Sequence, residues 1–378
     1  MIPLAVPDLS GNEARYLQEC VDSTFVSSVG PFVTRFEEMV AAYAGAPFGI
    51  AVASGTAALH TALTAVGVGR DDLVVVPSLT FVATANAVAY CGAEPWLADV
   101  APDSWTLDPR LLERTLAAET EPAPEGRRHK ASGRVVRCVL PVYTLGMPAD
   151  MDAIADIAGR FGLPVVADAA AALGATLRGK PVGGLGATLT TFSFNGNKTI
   201  TCGGGGAIVG TDEALVTLCR HLSTTARVGQ DYNHDRIGFN YRMTNLQAAV
   251  GCAQMERADQ LVAAKRRIDA GYRAAFDGHP RLRPFPRPDW AESACWFSGG
   301  VLAEGDVGDL RAGLRADGID ARPFWKPMHL QAAFAACPRT AMPVSEGLWR
   351  RILTLPCSTA LTEAEQQAVV MAVRGRLG

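Results

Sequence analysis

The run "LVVVPS" (73–78) is apolar without interruption. A strand with one wet face alternates polar and apolar residues, whereas a continuous run has both faces covered, as in a parallel sheet between helices. Similar runs recur in "FGIAV" (48–52), "EPWLADV" (94–100), "VLPVY" (139–143), "LPVVAD" (163–168) and "LTTFSF" (189–194). Between them the spacing turns helical. Ala58, Leu59, Ala62, Leu63 and Val66 follow the turn Ser54-Gly55-Thr56, and Met151, Ile154, Ile157, Ala158 and Phe161 share one face of "ADMDAIADIAGRFG" (149–162). This β-α-β rhythm predicts an α/β domain with a mainly parallel central sheet flanked by helices.

The rhythm stops near residue 246. "LQAAVGCAQMERADQLVAAKRRIDAGYRAAF" (246–276) reads as one long amphipathic helix, followed by the Pro-rich "HPRLRPFPRPDW" (279–290) and "RPFWKPMH" (322–329). The 378 residues divide into a large domain over 1–245 and a smaller α+β domain over 246–378. "ETEPAPEGRRHKASGR" (119–134) is polar and basic and reads as an exposed surface loop.

Hydrophobic residues at 48% and charged residues at 19% call for a sizeable core. A net charge of −3 without a basic stripe argues against nucleic acid as a partner. "MIPLAVPDLSGNE" lacks the layout of a signal peptide, and no uncharged apolar run reaches the ~18 residues of a membrane span. The nine scattered cysteines form no C-x-x-C pair, which fits a reduced, cytoplasmic compartment and no metal site.

In open parallel sheets ligands gather at the carboxyl ends of the strands. Ser54-Gly55-Thr56, Asp168, Ser193 and Lys198 all fall at such ends. The Ser-Gly-Thr turn opens a helix, so it is either a plain N-cap or an anion site. Asp168 closes a buried strand and could cap the next helix, hold a metal or pair with a cationic ligand. Lys198 sits in "SFNGNKTITCGGGG" (193–206) without the upstream glycine of a P-loop. It could clamp a phosphate or act as a nucleophilic amine.

Six ordered segments carry a resemblance to the DegT/DnrJ/StrS-type sugar aminotransferases, a branch of the fold-type-I pyridoxal-phosphate enzymes. They are "GPFVTRFEEMVAAYAGA" (30–46), "ASGTAALHTAL" (53–63), "VPSLTFVATANAVAYCGAEPWLADV" (76–100), "VVADAAAALGA" (165–175), "TTFSFNGNKTITCGGGGAIV" (190–209) and "GFNYRMTNLQAAVG" (238–251). The resemblance implies an aspartate-aminotransferase-like fold and the cofactor pyridoxal 5'-phosphate, with pyridoxamine phosphate as its half-reaction form. It implies Lys198 as the covalent anchor and proton shuttle and Asp168 as partner of the pyridine nitrogen. Gly55, Thr56 and Ser193 would hold the phosphate, Phe81 would stack on the ring, and Asn195 would join the cofactor contacts. Asn240 would reach the phosphate of a neighbouring subunit in a homodimer with shared sites. Ala171 stands where relatives often carry Gln, His or Glu, removing a polar contact near the ring. Arg227, Arg242, Lys326 and His329 are the expected substrate contacts. His60, inside an apolar helix, is expected to be structural.

The resemblance further implies transfer of an amino group from glutamate, released as 2-oxoglutarate, to a nucleotide-linked keto sugar. The "SFNGNK" pattern points to carbon 4 of a UDP-4-keto-6-deoxy-N-acetylhexosamine. A keto-cyclitol aminotransferase, a dehydratase and a non-catalytic binding protein on the same scaffold are the alternatives, and retention of Lys198 favours transamination.

Overall fold

The computed structural model describes residues 1–378. The apolar runs become β1 (Phe48–Val52), β2 (Leu73–Pro77), β3 (Glu94–Ala98), β4 (Val135–Val139), β5 (Val166–Asp168), β6 (Leu189–Ser193) and β7 (Gly206–Gly210). Their order across the sheet is β1-β7-β6-β5-β4-β2-β3, the join between β5 and β4 being made by parallel bridges Val139–Val165 and Val142–Asp168. Strand β2 runs parallel to β3 and β4, and β5 parallel to β6. Only β7 is reversed, antiparallel to both β1 and β6. The mainly parallel sheet is therefore present.

The unbroken apolarity of β2 has a direct structural reason. Leu73 and Val75 enter the core on one side of the sheet, Val74 and Val76 the core on the other. Each sits at 2% exposure or less. Helices Gly55–Ala65 and Val82–Tyr90 cover one side, and Pro31–Ala44 and Met151–Arg160 the other.

The second domain is a four-stranded antiparallel sheet in the order Leu282–Pro284, Ser298–Leu302, Ile352–Leu355, Arg322–Pro323. Helices Ala258–Phe276, Gly308–Ala316 and Glu363–Leu377 bury Ile268, Tyr272, Leu314, Val369 and Val373 in the core beside it. Both chain ends contribute, because Leu4 lies in this core and Ile2 bridges to Ile319.

The helix just after the expected 245/246 division packs on the large domain. Helix Asn245–Met255 lies against helices Glu13–Asp22 and Pro31–Ala44, and its Ala248, Ala249 and Cys252 share a core with Phe36. The stretch 246–276 is also two helices, not one. It breaks between Met255 and Ala258, where Glu256 accepts hydrogen bonds from Asn12, Tyr16 and Arg35 and Arg257 pairs with Asp8. Residues 119–134 likewise hold a β-hairpin, Thr120–Ala123 with Gly126–His129, rather than an irregular loop. All nine cysteines are free, eight of them buried.

Candidate active site

The carboxyl ends of β1, β2, β5 and β6 converge on a cavity of about 660 Å³, closed on its far side by the small domain. Ser54 ends the β1 segment and caps helix Gly55–Ala65, its Oγ accepting from the Ala57 N–H at 3.1 Å. The N–H groups of Gly55 and Thr56 have no internal acceptor and line the cavity. A free first turn of this kind attracts an anion. The turn is crowded. A Cβ on Gly55 would lie 2.7 Å from Ser193 Cβ, and one on Gly206 2.4 Å from Ser54 O. Two of the glycines after Lys198 are needed for conformation instead: Gly203 and Gly205 have φ of +75° and +138°.

Asp168 is 5% exposed at the tip of β5. Its Oδ2 accepts from Thr84 Oγ1 at 2.7 Å and its Oδ1 from the Ala170 N–H at 3.1 Å. Neither a lysine nor an arginine forms a salt bridge with it, and burial raises its pKa against those two donors and the nearby Lys198 charge. A buried carboxylate in this setting is short of a cation.

Lys198 follows β6. Its amine makes no hydrogen bond or ion pair and lies 3.7 Å from the centroid of the Trp296 ring. Lys198 lines the cavity and is partly buried, and the enclosing protein strips its hydration. Desolvation pulls its pKa from 10.5 down to about 8, opposed by the charge of Asp168. At pH 7 about a tenth of the amine is then neutral, against a few parts in ten thousand for an ordinary lysine.

An unpaired amine, a carboxylate lacking a cation and two free N–H groups at a helix start thus share one cavity with Phe81, half-exposed at its wall. These donors and charges fit a flat, phosphorylated pyridine aldehyde. Ser193 and Asn195 line the same space.

Other expected residues lie elsewhere. His329 is 5% exposed and outside the cavity, its Nδ1 2.7 Å from Ser78 Oγ and its Nε2 3.1 Å from Glu346. Burial lowers its pKa against the nearby Glu346 carboxylate, and the ring bridges the two domains. Lys326 is exposed and is not part of the lining. Arg242 lies beside the end of β1, bridged to Val52, with its Nε buried and unpartnered. Arg227 belongs to the exposed hairpin Arg227–Val228/Asn233–His234 and packs over Tyr232, and Asn240 is exposed. None of these five lines the cavity of its own chain. His60 is packing, tilted against Phe239 at 4.5 Å.

The lining also contains residues the sequence did not mark. Trp296 and Trp325 arrive from the small domain, Thr84 supports Asp168, and Asp320 and Arg322 form a 3.0 Å ion pair on the cavity wall. Each joins the site through contacts spanning tens of residues or more, which local periodicity does not encode.

Fold and cavity define a fold-type-I, pyridoxal-phosphate-dependent aminotransferase. Residues 7–374 match the DegT/DnrJ/EryC1/StrS aminotransferase family, and the chain belongs to it. It is 39% identical to the GDP-perosamine synthase of Caulobacter vibrioides, over 98% of this chain and 97% of that one. A dTDP-3-amino-3,4,6-trideoxy-alpha-D-glucose transaminase of Streptomyces venezuelae is 35% identical, over 92% and 87%. A UDP-2-acetamido-2-deoxy-3-oxo-D-glucuronate aminotransferase of Pseudomonas aeruginosa is 32% identical, over 91% and 90%. Among solved structures, a DegT DnrJ EryC1 StrS aminotransferase from Brucella abortus superposes with a TM-score of 0.89 at 31% identity, covering 97% of this chain and 95% of that one.

Proposed function

We propose that the chain moves an amino group from glutamate to the carbonyl carbon of a keto sugar carried on a nucleoside diphosphate. The observation that carries this reading is the unpaired Lys198 amine sharing one cavity with the buried Asp168 carboxylate. When bound, pyridoxal phosphate supplies an aldehyde that condenses with amines and a ring that accepts an electron pair. The chain's part is to place charge and protons. Asp168, held by Thr84 and the Ala170 N–H, keeps a ring nitrogen protonated. Gly55 and Thr56, with the Ser193 hydroxyl, hold a phosphate at the helix start. Lys198, whose free-amine pKa burial pulls down to about 8, would anchor the cofactor and hold or move a proton at its Nζ.

Carbon 4 of a 6-deoxyhexose is the proposed acceptor. The "SFNGNK" pattern favours a UDP-linked N-acetylhexosamine. A GDP-linked sugar is the second reading, favoured by the 39% identity to a GDP-perosamine synthase. Arg322, on the cavity wall with a solvent-facing side chain, replaces Lys326 and His329 as the proposed contact for an anionic group.

The site is proposed to be completed by a second copy, whose Asn240 reaches the phosphate and whose hairpin brings Arg227. Exposed Tyr232 (77%) and Ile237 (88%) around that hairpin support the reading, since apolar side chains left in water mark an interface. The test is a panel of UDP-, GDP- and dTDP-linked 4-keto-6-deoxy sugars incubated with glutamate and followed by mass spectrometry. Amination of one of them with release of 2-oxoglutarate is expected. Amination of a cyclitol ketone alone would overturn the sugar assignment.

A further inference from the structure

The small domain meets the lysine loop at Trp296. Trp296 is 3% exposed and lies just before strand Ser298–Leu302. Its indole Nε1 donates to the Asn197 carbonyl at 2.8 Å, and the Lys198 Nζ lies over its ring. Phe297 stacks on that ring with centroids 3.9 Å apart, which keeps the indole from swinging away. Its backbone is held as well. Lys265, 2% exposed on helix Ala258–Phe276, donates to Trp296 O at 3.0 Å and to Cys357 O at 2.6 Å. The helix, the 295–297 segment and the lysine loop are therefore tied together at this residue.

The face of an indole is electron-rich and attracts an ammonium within about 6 Å. The separation here is 3.7 Å. The same ring excludes water from the amine, which works in the opposite sense. We propose that Trp296 is a positioning residue through which the small domain sets both the direction and the charge of the Lys198 amine. Its N–H fixes the loop and its ring face replaces part of the lost hydration. The other ionisable groups on the cavity wall are Asp168, Tyr143, Asp320 and Arg322. Asp168 favours the ammonium, as the ring does, while burial opposes both. The Tyr143 hydroxyl is buried without a partner, and its pKa is raised by desolvation, so it carries no charge near neutral pH. This role rests on Lys198 as the working amine and is independent of the sugar.

The test uses the full chain without cofactor. Acylation of Lys198 is followed against pH by peptide mass spectrometry, which separates it from Lys130, Lys180, Lys265 and Lys326. Growth on 5-fluoro- and then 5,7-difluorotryptophan drains the ring face without changing its shape. The Lys198 midpoint is expected to fall stepwise, by about one pH unit overall. In Trp296→Phe, amide exchange across residues 195–201 is expected to quicken roughly tenfold as the bond to Asn197 is lost. A midpoint indifferent to fluorination overturns the control of charge, and unchanged exchange in Trp296→Phe overturns the control of position. Neither reading involves turnover of a sugar, so their failure is separable from failure of the proposed reaction.

Discussion

At the scale of single residues, Lys198 and Asp168 are proposed to carry the chemistry, and each makes a measurable prediction. In the cofactor-free chain the folded state binds the Lys198 proton only below about pH 8, whereas the unfolded chain binds it below 10.5. Unfolding between those values takes up a proton, so stability rises with pH across this window. Lys198→Met removes the buried charge. The variant is expected to be more stable than the wild type below pH 8, by at most about 3 kcal/mol. The gap should close as pH approaches 10.5, and thermal melts at a series of pH values check this. Asp168→Asn keeps the shape and removes the charge. A fall in kcat of about two to three orders of magnitude is expected, with the protein still folded by circular dichroism. Both positions in the cavity were legible in the sequence, because Asp168 ends one apolar run, Lys198 follows shortly after another, and parallel sheets put their ligands there. Trp296 and Thr84 were not. They reach the site across 99 and 84 residues, through the bonds to Asn197 and Asp168.

At the scale of elements, the proposed phosphate end of the site depends on how closely β7 passes the start of helix Gly55–Ala65. Gly206→Ala would set a methyl group against Ser54 O, a backbone atom that cannot turn aside. A loss of about 2 kcal/mol or more is expected in chemical unfolding, with cofactor affinity falling in parallel. Ser54→Ala removes only the cap and should cost about 1 kcal/mol. The same crowding explains why β7 was illegible. "GGGGAIVG" looks like a loop, since glycine is scarce in strands, yet this strand needs glycine where it touches the turn. The break near residue 256 was hidden for another reason. The apolar spacing continues through it, and only the ties of Glu256 and Arg257 to the N-terminal segment interrupt the helix. His329, expected as a donor to the substrate's anionic groups, bridges Ser78 and Glu346 through contacts that its neighbours in sequence do not reveal.

At the scale of the whole molecule, two domains close over one cavity, and a second copy is proposed to complete it. A shared site predicts complementation. Lys198→Ala and Asn240→Ala chains, each inactive alone, should regain about a quarter of wild-type activity when unfolded together and refolded as a mixture, because half the dimers are mixed and each has one intact site. Recovery of no activity would place Asn240 outside the neighbour's site. The proposed hold of the Lys198 amine on the cofactor has a more direct test. The yellow protein is reduced with borohydride, digested and mapped by mass spectrometry. The pyridoxyl group is predicted on the peptide containing Lys198 and on no other. Its appearance on Lys265 or Lys326, or on no lysine of a protein saturated with pyridoxal phosphate, would contradict the account.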